Sequence, residues 1–292
     1  MHIDSRGWLS VAELVLFTPS LIVSAIVCSR HGFGRASGWI YTLILCLVII
    51  IGASCQLATY SNPSENLYEA VIIIDSIGLS PLLFATLGLL SRLADQINAS
   101  REDGPFRTQY FRVIQLLVTI GVILAIVGGT SGNVNADGTT QVASESKAAI
   151  IVLIVAFVAI CALWLFTLKY QSSLSSSERR VSLAVQLSLP LIAVRLAYSA
   201  LKVFLHNSTF NSITGSVAAQ AGMAIVEEFI VVWIYLALGF MLETLQPHQQ
   251  GEIAQRSWGN RKSERPQRSQ NSRGGLAAYK GGLIRGTLAQ FR

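Results

Sequence analysis

The chain has 292 residues, of which 52% are hydrophobic and 13% are charged, and its formal net charge is +6. Soluble domains carry about a quarter charged residues, so this composition excludes an ordinary soluble protein and indicates a membrane protein.

Seven apolar stretches divide the sequence, and each is long enough for a helix to cross the hydrocarbon core, which takes about 20 residues. They cover 9–28, 39–59, 67–91, 110–129, 148–168, 181–205 and 217–240. The sequence therefore predicts an all-α membrane protein, a seven-transmembrane helix bundle formed by residues 1–245. The expected location is the plasma membrane or an endomembrane.

The first stretch is expected to be a retained helix and not a cleaved signal peptide. It is long enough to span, it contains Glu13 and Pro19, and it is followed by Arg30 and Arg35 instead of a small-residue cleavage site.

Basic residues lie almost entirely on one side of the predicted membrane. Of the 22 Lys and Arg residues, 18 lie in the connections after stretches one, three, five and seven. Three lie in the opposite connections, namely Arg6, Lys147 and Lys202, and Arg195 lies inside the sixth stretch. The positive-inside rule then predicts an outer amino terminus and a cytosolic carboxyl terminus.

The third stretch contains the sequence DSIGLSP at 75–81, which is unfavourable for a regular helix. Pro81 removes a backbone donor and Gly78 loosens the same turn, so the carbonyl groups around Ile77 are expected to be free near Asp75. Ser80 in the same segment is a further candidate to bind a ligand. Interrupted helices at membrane depth usually line a cavity. A plain kink, filled by neighbouring hydroxyl groups, is the alternative.

Five ionisable residues inside the stretches are the main candidates for function, because each costs roughly 2.5 to 3.5 kcal/mol at mid-bilayer on insertion scales. They are Glu13, Asp75, Arg195, Glu227 and Glu228. Arg195 is expected to pair with Glu227, Glu228 or Asp75, and the remaining acids to be protonated, hydrated or cation-bound. Adjacent helix positions are about 100° apart, so only one of the two glutamates can face the bundle axis. The set is either a polar ligand or ion site or an internal ion pair that fixes helix packing.

Two modification candidates lie near the ends of stretches. Cys28, beside Arg30, is placed for S-acylation at the cytosolic side, with a small buried apolar role as the alternative. Asn207 begins a glycosylation pattern in an outer connection, close to the end of stretch six.

Residues 246–292 are predicted to be a disordered, basic, cytosolic tail. The segment 241–292 has nine basic and three acidic residues, which accounts for the whole net charge of +6. A stretch rich in Gly, Ser, Arg and Gln cannot bury enough apolar surface to fold. Membrane lipids with anionic headgroups are the expected partner, at about 1 kcal/mol per cation near the surface, and nucleic acid is not expected.

Enzyme chemistry finds little support in the residue inventory. The four histidines show no zinc-ligand spacing, a single membrane Asp excludes an aspartyl dyad, and no metal or other cofactor is expected. Gly129 to Gly132 has the Gly-x-Ser-Gly form of intramembrane serine proteases, with His206 on the same outer side, and this hydrolase remains a remote alternative. The seventh stretch has no Lys, which excludes a retinal Schiff base there.

Several short segments, taken in order, resemble a fungal family of uncharacterised seven-helix integral membrane proteins, a domain of unknown function. They are CSRHGFGRASGW at 28–39, IGASCQL at 51–57, DSIGLSP at 75–81, GLLSR at 88–92, GGT at 128–130, LPLIAVR at 189–195 and VEEF at 226–229. The resemblance covers about residues 8–245 and implies a seven-helix fold without an activity. Members of that family often carry an Arg where this chain has Ile50, which implies that a polar contact to the second helix is missing here.

The leading functional hypothesis is a receptor-like or sensing membrane protein that binds a small polar ligand through its intramembrane charges. The alternative is a transporter or lipid translocator that uses the same acids and Arg195. Neither hypothesis includes an enzymatic activity.

Overall fold

The computed structural model describes residues 4–31, 38–101, 104–131, 133–134, 140–141, 143–170, 174–205, 215–242, 251 and 253. The helices are α1 (Ser5–His31), α2 (Trp39–Thr59), α3 (Glu65–Ile77), α4 (Leu79–Ala99), α5 (Thr108–Ser131), α6 (Ser144–Leu168), α7 (Ser176–Phe204), α8 (Val217–Gln220) and α9 (Val226–Met241). A π-helical turn, Ala221–Ile225, joins α8 to α9.

Within the described residues, seven helical spans are long and apolar enough to cross a membrane, which confirms the predicted fold class. The third span, Asn66–Ala99, consists of α3 and α4, and the seventh, Val217–Met241, consists of α8, the π-helical turn and α9. The spans extend beyond most of the predicted stretches because polar residues at their ends continue the helix. At the start of α7, for example, Ser175 accepts a hydrogen bond from the backbone of Glu178 and caps the helix.

The centre of the bundle is α4. From 79 to 94 every residue except Phe84 is buried, because this helix packs against α2, α5, α6 and α7. By contrast, α6 is apolar on all sides and leaves Ile151, Val155 and Val158 exposed. Exposed large apolar side chains on a spanning helix are suited to contact with lipid chains.

A short β ladder lies in the connection between α5 and α6. Strands β1 (Asn133–Val134) and β2 (Thr140–Gln141) pair antiparallel, with Asn133 opposite Gln141. The sequence did not predict these strands, since two residues are too few to show an alternating pattern.

The chain divides into two units, Met1–Arg256 and Ser257–Arg292, and the second lies outside the described residues. Within the predicted tail, Ile253 is buried in the hydrophobic core of the first unit, and its backbone N–H donates to Asp95 Oδ1 at 3.1 Å. Gly251 lies so close that an added Cβ would be 2.4 Å from the same carboxylate oxygen. The packed part of the chain therefore reaches Ile253, beyond the boundary predicted at 245.

Candidate ion site between the membrane-spanning helices

Arg195 is the centre of a charged cluster between α3, α7 and α9. It lies nine residues before the end of α7, about 13 Å along the helix axis, and only 2% of its surface is exposed. Its Nε donates to Glu228 Oε1 at 2.6 Å, and its Nη1 donates to Ser199 Oγ at 2.6 Å. A buried guanidinium keeps its charge, so these acceptors replace the water that it has lost.

The third guanidinium nitrogen of Arg195 contacts Asp75 twice. Nη2 donates to the Asp75 backbone carbonyl at 3.2 Å and lies 3.4 Å from Asp75 Oδ1. The other carboxylate oxygen of Asp75, Oδ2, accepts from Lys202 Nζ. Asp75 therefore joins both basic side chains of α7 and is the least buried member, with 25% of its side chain exposed.

Lys202 is the partner that the sequence did not predict. The charge analysis places it with the outer connections, although the predicted stretch 181–205 includes it. On α7, Lys202 lies two turns beyond Arg195 on the same face. That seven-residue spacing was visible in the sequence and could have predicted a second base next to the same acid.

Of the two adjacent glutamates, Glu228 and not Glu227 pairs with Arg195. Glu228 is 5% exposed, whereas Glu227 is half-buried and has no ion pair with any residue that the structure describes. Five residues of π-helix directly before α9 widen the helix and change the angular positions of the side chains on α9. Sequence alone does not reveal such a turn, which is why it left the choice between the two acids open.

The interruption predicted near Pro81 lies at Gly78, between α3 and α4. Pro81 has no backbone N–H to donate to the Ile77 carbonyl, while Gly78 keeps helical angles, φ −52° and ψ −33°. The span thus changes its hydrogen bonding here and keeps the angles of a helix. An added Cβ at Gly78 would lie 3.6 Å from Glu228 Oε1 and 3.8 Å from Arg195 Nη2, so the interrupted turn contacts the charged cluster directly.

A cavity of about 80 Å³ adjoins the cluster. Its polar lining comes from five of the seven spans, through Ser10, Glu13, Gln56, Asp75, Arg195, Gln220 and Glu228. Gln56 lies three residues before the end of α2, and Gln220 lies three residues after the start of α8. The cavity therefore reaches from the level of Arg195 to within about one turn of the helix ends at Thr59 and Val217.

The structure brings Glu13, Asp75, Arg195 and Glu228 together around this cavity, and it leaves the other sequence candidates apart. Ser80 is buried outside the cavity lining, and its Oγ has no hydrogen-bond partner within the described ranges. Cys28 is fully buried, which fits the apolar role better than acylation. Asn207, Gly132 and His206 lie outside the described residues.

Comparison of the sequence with known families gives a match over residues 3–245 to the family described as Domain of unknown function (DUF7702). The chain belongs to the DUF7702 family. The matched region of this DUF7702 chain contains all seven spans and every residue of the charged cluster. Comparison with curated proteins gives no match.

A second buried ion pair lies elsewhere in the DUF7702 region and was not predicted. Arg92 on α4 donates through Nη2 to Glu178 Oε1 at 2.8 Å and through Nε to the same oxygen at 3.2 Å. Arg92 was counted among the connection residues, because the apolar window ended before it. The Ser175 to Glu178 spacing, Ser-x-x-Glu, is a helix-start signal that could have placed Glu178 inside the bundle.

Proposed function

We propose that the chain is a membrane transporter that moves a small polar solute through the cavity beside Arg195. The observation that carries this proposal is the polar cavity between two irregular spans. One changes its hydrogen bonding at Gly78, and the other contains the π-helical turn Ala221–Ile225. In transporters, discontinuous helices near mid-membrane free backbone groups for substrate and allow one part of the bundle to move against another. Seven apolar helices and membership of a family of unknown function fit a multi-pass membrane protein.

The size of the cavity favours a small solute over the ligand of a receptor. Pockets for drug-sized ligands usually have about 300–1,000 Å³. This cavity, with about 80 Å³, holds a few water molecules or a small ion. A large amphipathic ligand or a lipid would need a different, wider state of the bundle.

A receptor-like or sensing protein is the second candidate. This candidate is supported by the shape of the cavity. One end of the cavity approaches the helix ends at Thr59 and Val217, and the other end stops at about the level of Arg195. A sensor needs a site that opens to one side only, whereas a transporter must expose its site to each side in turn. No enzymatic activity is part of either proposal.

The orientation and surroundings are also proposals. The charge bias of 18 against 3 basic residues supports an outer amino terminus in the plasma membrane or an endomembrane, and the resemblance of the sequence supports a fungal origin. The basic tail would then face anionic headgroups on the cytosolic side. A protease-sensitive tag after Arg292 should be protected in sealed cells, and digestion from outside would reverse this orientation.

Access to the cavity from both sides distinguishes the two candidates. The four cysteines are replaced, Gln56→Cys is introduced, and sealed proteoliposomes of one orientation are treated with an impermeant thiol reagent from either side. A transporter should be labelled from both sides, and a sensor only from the side of Thr59. The matched control is Ser54→Cys on the exposed face of α2, which should not be labelled from either side. Labelling of Gln56→Cys from one side only would contradict the transporter.

A further inference from the structure

The acids around the cavity outnumber the bases. Its charged groups, with Lys202 included through its bond to Asp75, are Glu13, Asp75, Glu228, Arg195 and Lys202. Arg195 and Lys202 are bound to Glu228 and Asp75. Among these groups, three carboxylates against two bases leave one negative charge when every group is ionised. Arg6, whose charge also acts on Asp75, lies outside the cavity lining.

Glu13 carries that extra charge. It has no hydrogen bond and no ion pair with a residue of the described chain, although it lines the cavity and is half-buried. The charged groups that face it are Asp75 on α3, Arg195 on α7 and Glu228 on α9. A carboxylate that is partly removed from water and has no partner is costly, so a proton or a bound cation would stabilise Glu13 here.

A second side chain in the cavity lacks a partner as well. Ser10, one turn before Glu13 on α1, is 4% exposed and lines the cavity, and its hydroxyl has no hydrogen bond to any described residue. A hydroxyl that faces a cavity without a protein partner can bind water or an ion in that space. The amide groups of Gln56 and Gln220 line the same cavity and add oxygen atoms to it.

The available space limits the species that can bind. About 80 Å³ accepts a bare or partly hydrated monovalent cation together with water. Oxygen ligands of the carboxylate, hydroxyl and amide types suit hard cations.

We propose that Glu13 binds one monovalent cation in this cavity, either a proton or a small alkali cation such as Na⁺, and that this cation is the transported or coupled species. The role of the cation in transport rests on the proposed function, whereas its binding does not. For a proton, an O–H bond forms on a Glu13 carboxylate oxygen with a proton from water on one side, and it breaks when the proton returns to water on the other. For Na⁺, the Glu13 carboxylate and the Ser10 hydroxyl supply ligands together with water.

Infrared spectroscopy of the full-length chain in nanodiscs tests the binding site without any transport. Choline chloride is used first, because choline is much bulkier than Na⁺ and has no ammonium proton to donate, and then NaCl at the same ionic strength. The wild type should show a protonated-carboxyl C=O band that falls as the pH rises, or a carboxylate band that shifts when Na⁺ replaces choline. Glu13→Gln should abolish whichever signal is seen. The matched control Glu227→Gln should keep it, since Glu227 does not line the cavity.

The pH-dependent band identifies a proton, and the band that shifts with Na⁺ identifies an alkali cation. Absence of both signals in the wild type would overturn the proposal. So would a signal that survives Glu13→Gln. Should Glu13→Gln fail to fold, the comparison of choline with Na⁺ across pH in the wild type and in Ser10→Ala still decides the question.

Flux measurements separate the site from the transport function. Sealed proteoliposomes with an internal pH dye or Na⁺ dye are given a gradient of the same ion, and Glu13→Gln should reduce the flux to that of protein-free vesicles. A Glu13-dependent infrared signal without flux would retain the cation site and reject transport. Flux that is unchanged in Glu13→Gln would retain transport and reject Glu13 as its cation site.

Discussion

At the scale of single residues, the bundle contains a buried guanidinium in which every nitrogen has an acceptor. All three nitrogens of Arg195 are bound, to the Glu228 carboxylate, the Ser199 hydroxyl and both the carbonyl and the carboxylate of Asp75. Arg195 contacts two acids, and its 2.6 Å bond to Glu228 is the shorter contact. The side chains of Arg195 and Glu228 are both almost completely buried. Removing one partner of such a pair leaves an uncompensated buried charge.

Arg195→Ala should therefore lower the free energy of unfolding by about 3–5 kcal/mol. The double variant with Glu228→Gln should recover part of that loss, because the stranded carboxylate is removed as well. Double-mutant cycles from denaturation in detergent measure the coupling. The matched cycle with Glu227→Gln should show coupling near zero. Equal coupling to both glutamates, or none to either, would contradict the observed pairing.

A second group of hydrogen bonds centres on Asp4 at the start of α1, outside the membrane-spanning segments. Asp4 Oδ1 accepts from the backbone N–H groups of Arg6 and Gly7 at 3.0 Å each, as an N-cap, and also from the Tyr60 hydroxyl. The Tyr60 hydrogen bond is the main reason that the pKa of Asp4 lies below its ordinary value of 3.8. Burial, and then the bond to Asp4, raise the pKa of Tyr60 to about 12.

The contact between Asp4 and Tyr60 should stabilise the chain at neutral pH and fail at both extremes. A lowered carboxyl pKa gives stability that is present above pH 3.8 and is lost as the pH falls through the lower folded value. A raised phenol pKa gives stability that is present below the ordinary value of 10.0 and is lost as the pH rises through about 12. Tyr60→Phe should flatten the alkaline change and weaken the acid one, measured as the unfolding midpoint against pH. An unchanged profile in Tyr60→Phe would show that other groups cause the dependence.

At the scale of elements, two helix pairs approach closely because a glycine removes the side chain between them. An added Cβ at Gly128 on α5 would lie 2.5 Å from the Ser146 backbone nitrogen and 2.9 Å from its Cα, both on α6. An added Cβ at Gly239 on α9 would lie 2.5 Å from a methyl carbon of Val27 on α1. Small residues of this kind allow membrane helices to pack where apolar burial gives no driving force.

Gly128→Ala should lower the free energy of unfolding by about 1–3 kcal/mol, since the backbone of Ser146 has to move. The matched control is Gly222→Ala, because a Cβ there meets nothing within 4 Å. That substitution should leave the unfolding free energy unchanged or raise it slightly, as Ala is the better helix former. Denaturation of both variants in the same detergent provides the measurement, and an equal loss in both would contradict the close approach at Gly128.

At the scale of the whole molecule, the packed domain ends later than the composition of the chain indicates. Ile253 is 2% exposed and belongs to the hydrophobic core, and it is followed almost at once by the basic segment that begins at Arg256. The contact with Asp95 holds the start of the tail at the end of α4. The tail thus has a packed beginning, while residues 254–292 lie outside the described chain.

Two truncations separate these parts of the tail. Removal of 257–292 should leave the unfolding midpoint of the bundle unchanged and weaken its binding to anionic vesicles, increasingly so at low salt, where screening is weakest. Removal of 246–292 should also lower the midpoint, because it exposes the site of Ile253 and removes one partner of Asp95. Thermal unfolding and vesicle co-sedimentation are the measurements. Identical midpoints for the two truncations would show that the contact at Ile253 contributes nothing.

The sequence by itself determined the seven spans and the residues that need an explanation inside them. A membrane span needs an apolar run long enough to cross the bilayer, and the length of such a run can be counted directly along the sequence. It also predicted that Arg195 pairs with an acid, since a guanidinium cannot lose its charge.

Only the tertiary structure decided which acid that is and which groups surround it. Arg195 pairs with Glu228 and not with Glu227, on the helix that follows the π-helical turn, and Lys202 on α7 reaches Asp75. Contacts such as that between Arg92 and Glu178 join residues 86 positions apart, and they depend on how the helices rotate and cross. The cavity and its unpartnered Glu13 also depend on how the helices pack. The space left between helices cannot be read from the hydrophobic pattern of the sequence.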